Sequence, residues 1–566
     1  MRRRVLIPLT FLWLCGPLGC AGGSAAGPNA SLPRALNDGV TTRHEITLGG
    51  QALDYTATAG HLTATSADGK PLAAIFSVAY LAENQDPATR PVTFLYNGGP
   101  GSCSVWLHLG SFGPRRLVTG DPATTAPTPF ALVENEECLL DATDLVFVDA
   151  VGTGLSEAVA PNVNQTFWGV DQDAKLFRDY IRTWLAANRR ELSPVYIFGE
   201  SYGTPRSAVL ANLMLEAGVP LAGVVLQSSI LNYNTNTGMS SQVSAAGFLP
   251  TYAAVGAWFK LTDPVPSALP PFLEQVRAFT RQDYVPAVQA WFQDGSAPST
   301  ALATRLQDDT GIGASQWQAE LNLPPGDFQS DLLPGTIIGR YDGRVSAPVG
   351  SAMAGEGDPS STFISASFAF RITGYLTDEL GYAPGKDYSL QDVAIDYWDF
   401  SHDGLAEPDT IPDLAAAITR KPDLKVLSLN GWHDLATPFY QTELDLARLG
   451  RQPNLGIKHY QGGHMIYLDD VARPLEKADL VAFYRGTPGW SAPGARPVEP
   501  PAVSTAPAWA GLELRPYREP WPGHNRPMLV DPWVPPGKRH ITPGTETSGE
   551  QLREQVRRKL VGSGFK

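Results

Sequence analysis

Short apolar runs recur along the chain, and most of them empty into a Gly-rich or charged segment. Residues 91–96 (Pro-Val-Thr-Phe-Leu-Tyr) lead into Asn97-Gly98-Gly99-Pro100-Gly101. Residues 145–149 lead into Val151-Gly152-Thr153-Gly154, and residues 194–198 into Gly199-Glu200-Ser201-Tyr202-Gly203. Residues 223–227 form a further run. Residues 424–429 end in Asn430-Gly431-Trp432-His433-Asp434, and residues 455–460 in Gln461-Gly462-Gly463-His464. Helical patterning falls between them. Leu176, Phe177, Tyr180, Ile181, Trp184 and Leu185 recur with a 3.6-residue period, and Val209, Leu210, Leu213 and Met214 share a face after Pro205. Buried strands interleaved with helices predict an α/β fold, a mostly parallel central sheet with helices on both faces. In such sheets functional groups collect just past the carboxyl ends of the strands. The Gly-rich and charged segments sit there.

The rhythm breaks twice. Residues 236–395 have amphipathic stretches and Pro/Gly/Ser-rich loops but no run of buried strands, which predicts an inserted cap domain. The core then divides into a first half at 31–235 and a second half at 396–487. The first half opens with a β-hairpin or meander turning at Gly49-Gly50. From residue 488 to 566 the chain is rich in proline, with Trp490, Trp509, Trp521 and Trp533 among the prolines and a helical pattern at Leu552, Val556 and Leu560. That composition suits an extended arm laid over the core and a terminal helix.

Composition narrows the class. With 566 residues, 43% hydrophobic and 18% charged, the chain has the material for a large globular core. A formal net charge of −14 argues against nucleic acid as a partner. Residues 1–30 read as an export signal and tether. Arg2, Arg3 and Arg4 precede an apolar stretch too short for a stable membrane anchor. Pro17-Leu18-Gly19-Cys20 resembles a bacterial lipobox, with Pro17 where Leu is usual. Lipidation of Cys20, with membrane attachment through that lipid alone, competes with cleavage near Ala25-Ala26 to a soluble product. The expected location is exported: a periplasmic or outer-membrane lipoprotein in a bacterium, or a secreted protein. Beyond the export segment only Cys103 and Cys138 remain. An oxidising compartment permits a disulfide between them, and a pair of buried free thiols is the alternative. No Cys/His cluster has metal-ligand spacing, so no metal and no cofactor is expected.

The chemistry centres on residues 199–203. Strand, Gly-x-Ser-x-Gly and helix in succession describe a nucleophile elbow, in which two glycines relieve the crowding around Ser201. A serine hydroxyl is a poor nucleophile at neutral pH. It needs a base, a carboxylate to orient that base, and donors for the oxyanion. Asp434 and His464 follow in that order, each in a Gly-containing turn after a strand. Ser, Asp, His is the α/β-hydrolase order. His433 shares the Asp434 loop and reads as a neighbour of the triad; His108 and His459 read as structural.

Asn97-Gly98-Gly99-Pro100-Gly101, Gly199-Glu200-Ser201-Tyr202-Gly203, Gly431-Trp432-His433-Asp434 and Gly463-His464-Met465 together resemble the serine carboxypeptidase family. Phe147-Val148-Asp149-Ala150-Val151-Gly152-Thr153-Gly154 resembles a further block of it. The resemblance spans residues 97–465 and leaves out the Pro-rich tail. It implies the α/β-hydrolase fold and peptide substrates. Ser201 would attack, His464 would move the proton and Asp434 would hold the imidazole. The backbone N–H groups of Gly99 and Tyr202 would form the oxyanion hole. Asn97 and a protonated Glu200 would bind the free carboxylate of a peptide C-terminus, because two carboxylates that close cannot both ionise. One position departs from the family: its second acidic residue falls at Ser111. The Cys that usually follows Pro-Gly is displaced by one, giving Ser102-Cys103.

The leading expectation is an exported serine carboxypeptidase-type peptidase that releases C-terminal residues through an acyl-enzyme. An esterase or acyltransferase on the same scaffold is the alternative, since both chemistries pass through a Ser acyl-enzyme. A non-catalytic binding protein would predict a broken triad, and this chain has all three members.

Overall fold

The computed structural model of the protein describes residues 37–123, 130–236, 242–354, 357–391 and 397–486. The export segment, Cys20 and the Pro/Trp-rich arm from 488 onward lie outside them.

One ten-stranded sheet organises the molecule. Its strands are β1 (Val40–Leu48), β2 (Gln51–Thr65), β3 (Pro71–Ala82), β4 (Val92–Tyr96), β5 (Asp144–Val148), β6 (Glu157–Ala158), β7 (Val195–Glu200), β8 (Leu221–Gln227), β9 (Lys425–Gly431) and β10 (Leu455–Tyr460). The spatial order is β1-β2-β3-β5-β4-β7-β8-β9-β10, with β6 paired to β3. The first three strands form an antiparallel meander, and β3 meets β5 antiparallel. Every pairing from β5 to β10 is parallel. Leu48 pairs with Gln51, so β1 and β2 are joined by Gly49 and Gly50 alone, at φ +56° and +78°. Such a two-residue turn favours glycine, which takes positive φ without steric cost.

The central parallel strands β4, β5 and β7 are buried on both faces, which is why they read as unbroken apolar runs. Side chains alternate between two cores. Leu95, Phe147, Phe198, Val225 and Leu427 point to one. Phe94, Val146, Ile197, Val224 and Val426 point to the other. Helices α2 (Val170–Ala187) and α3 (Gly203–Glu216) cover the second core. Helix α1 (Val105–Gly110) covers the first. The predicted apolar stripe of α2 is its core face: Leu176, Phe177, Tyr180, Ile181, Trp184 and Leu185 are all buried.

Residues 236–395, expected to be one cap, divide between two environments. Helices α4 (Gln242–Trp258), Leu269–Phe279, Val285–Asp294 and Thr300–Thr310 enclose a third core around Leu273, Val276, Leu306 and Trp317. That core reaches Leu435, Phe439 and Tyr440 next to the carboxyl end of β9. Helix α5 (Pro359–Gly374) instead brings Phe363, Phe368 and Ile372 onto the sheet itself. After β9 come α6 (Phe439–Ala447) and, beyond β10, α7 (Ala472–Arg485). Among the described residues no helix is long and apolar enough to cross a membrane.

Candidate active site

The elbow is built by steric necessity. Ser201 sits at φ +60°, a left-handed conformation that non-glycine residues seldom adopt and that marks a constrained functional turn. A Cβ on Gly199 would stand 2.1 Å from the Gly203 carbonyl oxygen, so the crossing of strand and helix admits no side chain there. The Ser201 amide donates to the Gln227 carbonyl at 3.0 Å, which ties the turn to the end of β8. The Thr204 hydroxyl donates to the Ser201 carbonyl at 2.8 Å.

The loop after β4 packs directly on this turn. A Cβ on Gly98 would stand 2.3 Å from the Tyr202 amide nitrogen. Gly98 therefore lets residues 97–101 lie flat on the elbow, bringing Gly99 (φ +103°) beside Tyr202. Arg206 reinforces the contact from the first turns of α3. Its guanidinium donates to the Asn97 carbonyl at 2.8 Å and to Asp173 at 2.5 Å, and it lies over the Tyr202 ring. The Tyr202 hydroxyl in turn accepts from Trp398 Nε1 at 3.0 Å.

Two strands away, Asp434 and His464 meet. His464 Nδ1 lies 2.8 Å from Asp434 Oδ2, and both residues are buried. Asp434 Oδ1 accepts the amides of Ala436 and Thr437 at 2.8 and 2.9 Å, and Oδ2 accepts the Thr437 hydroxyl at 2.6 Å. These bonds fix the carboxylate so that Nδ1 carries the proton and Nε2 is free to act as base. Burial is the largest single influence and disfavours the imidazolium, but the Asp434 charge and hydrogen bond together with the Glu200 charge outweigh it, so the His464 pKa rises above its ordinary value. A Cβ on Gly431 would stand 2.1 Å from the Gly463 carbonyl, so the Asp and His loops touch backbone to backbone.

Glu200, the residue before the serine, is a buried acid. Asn97 Nδ2 donates to its Oε1 at 2.8 Å and Gln227 Nε2 to its Oε2 at 3.2 Å. Loss of hydration pushes its pKa up to about 7, against the opposing pull of the His464 charge, the Tyr467 hydroxyl and the Asn97 amide. Asn97 is itself oriented, since its Oδ1 accepts the Leu107 amide at 3.1 Å. Ser111 contributes nothing to this group. Its hydroxyl donates to the Leu107 carbonyl at 2.5 Å within the helix end.

Residues 339–345, inside the stretch expected to be cap, belong to the site and were not anticipated. The His464 amide donates to the Tyr341 carbonyl at 2.6 Å, and the two rings lie 5.2 Å apart. A Cβ on Gly463 would stand 2.1 Å from that carbonyl. Arg344, wholly buried, anchors the loop through Asp342 and Asp469, each at 2.7 Å. The one local signal was the Asp342-Gly343 turn pair beside two arginines, which by itself points to no chemistry.

Among the described residues, His108 and His459 have structural partners. His108 bonds Tyr80 at 2.6 Å, and His459 bonds Glu443 at 2.7 Å while stacking on Trp432. Burial, with Arg344 nearby, pushes His433 down to about 3. Cys103 and Cys138 form no disulfide, which corrects that candidate pairing in favour of buried free thiols. They serve different local structures. Cys103 lies against Asp149 and Tyr388, while the Cys138 sulfur accepts the Leu140 amide at a helix start. His402, Asp403 and Asp413 come close enough to suggest metal ligands. However, His402 Nδ1 contacts Asp171 and Nε2 contacts Asp413, each at 2.8 Å, which describes an imidazolium between two carboxylates.

Sheet, elbow and the paired Asp and His loops define an α/β-hydrolase. The serine carboxypeptidase pattern matches residues 49–242. Over those residues the chain is similar to the serine carboxypeptidases. The prohormone-processing carboxypeptidase Kex1 of Saccharomyces cerevisiae shares the fold at TM-score 0.50 and 16% identity, over 76% of this chain and 91% of that one. A proline iminopeptidase of Mycobacterium smegmatis aligns at 14% identity and TM-score 0.31, over 79% and 98% of the two chains. An esterase of Pyrococcus furiosus aligns at 11% identity and TM-score 0.30, over 76% and 91%. No curated protein sequence matches the chain.

Proposed function

We propose that the protein is an exported peptidase that removes residues from the C-termini of peptides by way of a Ser201 acyl-enzyme. His464 takes the Ser201 proton as the hydroxyl attacks the scissile carbonyl, then gives it to the leaving amine. Asp434 stabilises the imidazolium formed between those steps. The amides of Gly99 and Tyr202 receive the oxyanion. Water, deprotonated by His464, then releases the acyl group.

The observation that carries the exopeptidase part of this reading is the Asn97–Glu200 contact. A carboxyl held neutral by burial can donate its proton to a substrate carboxylate, while an ionised one would repel it. Glu200 adjoins the nucleophile, so a terminal carboxylate bound there leaves the last peptide bond over Ser201. The bound Ser111 hydroxyl favours the second reading, an esterase or acyltransferase, because it leaves Glu200 without the family's acidic partner.

Incubation with free-acid and C-terminally amidated peptides across pH 4–8, read by mass spectrometry, tests the proposal. A C-terminal ladder from the free acids alone is expected. Ester turnover without any ladder would reject it in favour of the second reading. Ser201→Ala should abolish turnover, and surviving activity would reject the mechanism. The export reading of residues 1–30, including a lipid on Cys20, is checked by the intact mass of the mature protein. An unprocessed Met1 terminus in the secreted fraction would refute it.

A further inference from the structure

Tyr467 lies in the turn Ile466–Leu468, three residues past His464, and is fully buried. Its ring packs against Gly110. A Cβ on Gly110 would stand 2.8 Å from Tyr467 Cε2, so the absence of a side chain at 110 lets the ring in. The hydroxyl faces the Glu200 carboxyl and the Asn97 amide and interacts with both, though not in a hydrogen bond of ordinary geometry. A buried phenol O–H held this imperfectly gains from a better-aligned acceptor.

Glu476 on α7 is also fully buried, with both carboxyl oxygens unpartnered among the described residues. It lies near enough to Glu200 and Tyr467 to interact with both electrostatically. Burial holds it in the neutral form, so it sets no second negative charge behind the site. The region beside Gly110 therefore holds a buried acid and a phenol donor directed at the Asn97–Glu200 pair. Its unmet hydrogen-bonding capacity suits an anion.

Building on the carboxypeptidase reading above, we propose that Tyr467 is a substrate-binding residue: its hydroxyl donates to the free C-terminal carboxylate of the peptide, beside Asn97 and Glu200. Asn97, Glu200 and Tyr467 then give that carboxylate three donors. The Tyr467 hydroxyl keeps its proton across the physiological range, so its share of recognition does not depend on acid.

The test uses the full-length enzyme, wild type and Tyr467→Phe, with an N-blocked peptide as the free acid and as its C-terminal amide. Phenylalanine keeps the ring against Gly110 and removes only the donor. A lost hydrogen bond to a charged group should raise KM for the free acid about 10- to 100-fold. The kcat for the free acid and both constants for the amide should stay within about threefold, since no bond to the amide substrate is lost. An unchanged free-acid KM with the wild-type preference for free acids intact overturns the role of Tyr467 and leaves the carboxypeptidase reading standing. Equal losses on both substrates also overturn it, because they signal a general packing defect. A wild-type enzyme with no preference for the free acid overturns both.

Discussion

The Asn97 amide donates to the Glu200 carboxyl at 2.8 Å across 103 residues of sequence. This bond joins the two loops that flank the nucleophile and gives a buried acid its principal partner. On the carboxypeptidase reading proposed above, it also links substrate recognition to protonation, because the same carboxyl would have to stay neutral to receive a peptide's terminal carboxylate.

The pH profile follows from that pair. Glu200 must be protonated, and burial raises its pKa to about 7. His464 must be neutral, and Asp434 holds its pKa above the ordinary value. Above about pH 7, kcat/KM for free-acid peptides should fall as Glu200 ionises, approaching tenfold per pH unit. On the acid side, kcat should fall as His464 gains its proton. The two groups feel each other's charge, so the limbs report the pair. Glu200→Gln should flatten the alkaline limb in a stopped assay between pH 5 and 9. An unchanged alkaline limb in that variant would show that another group sets it.

Gly199→Ala should cost activity far more than stability. The added Cβ meets the Gly203 carbonyl oxygen at 2.1 Å and must push the Ser201 turn off its position. A displacement of that order costs about 100-fold in kcat. Kinetics beside a thermal melt would read both quantities, and retention of full kcat would contradict the steric account of the elbow.

Arg344→Met should destabilise the fold by about 3–5 kcal/mol, because it leaves Asp342 and Asp469 buried without their cation. Urea denaturation at pH 7 measures the loss. Peptidase activity should also fall, since Arg344 anchors the loop whose Tyr341 carbonyl accepts the His464 amide. A variant as stable as the wild type would argue against the ion cluster as the anchor.

His402 predicts a stability change at alkaline pH. Its bond to Asp413 raises its pKa to about 9, with Asp171 adding to the effect against the cost of burial. An imidazole raised in the folded state contributes stability that is complete below about pH 6.5 and is lost as pH rises through about 9. His402→Gln should therefore cost about 1–3 kcal/mol at pH 6, a figure discounted for the partly exposed Asp171. The gap from the wild type should close by pH 10. A gap independent of pH would mean that packing, and not charge, sets the role of His402.

The strands, the elbow and the order Ser201, Asp434, His464 were legible because each has a local signature. Parallel strands buried on both faces read as apolar runs, and Gly199 and Gly203 announce a turn that excludes side chains. The cap was legible only as a break in rhythm. Its division between a separate core and the sheet face depends on which helix finds which surface, as Phe363 and Trp317 show by packing into different cores. The thiols had no local signature either. Whether Cys103 and Cys138 bond is a matter of distance in the fold, and each is committed to a different neighbour.

By itself the sequence determined the chemistry available: a serine on a Gly-bounded turn, an acid beside it, and an Asp and a His past later strands. These depend on residue type and near-neighbour spacing. The tertiary structure alone decided what surrounds them. Tyr341 reaches His464 across 123 residues, and Tyr467 packs against Gly110 across more than 350. Contacts at such separations leave no periodic trace in a single chain. They arise because the sheet brings the carboxyl ends of distant strands to one edge, where close packing and the need to satisfy buried polar groups select the neighbours.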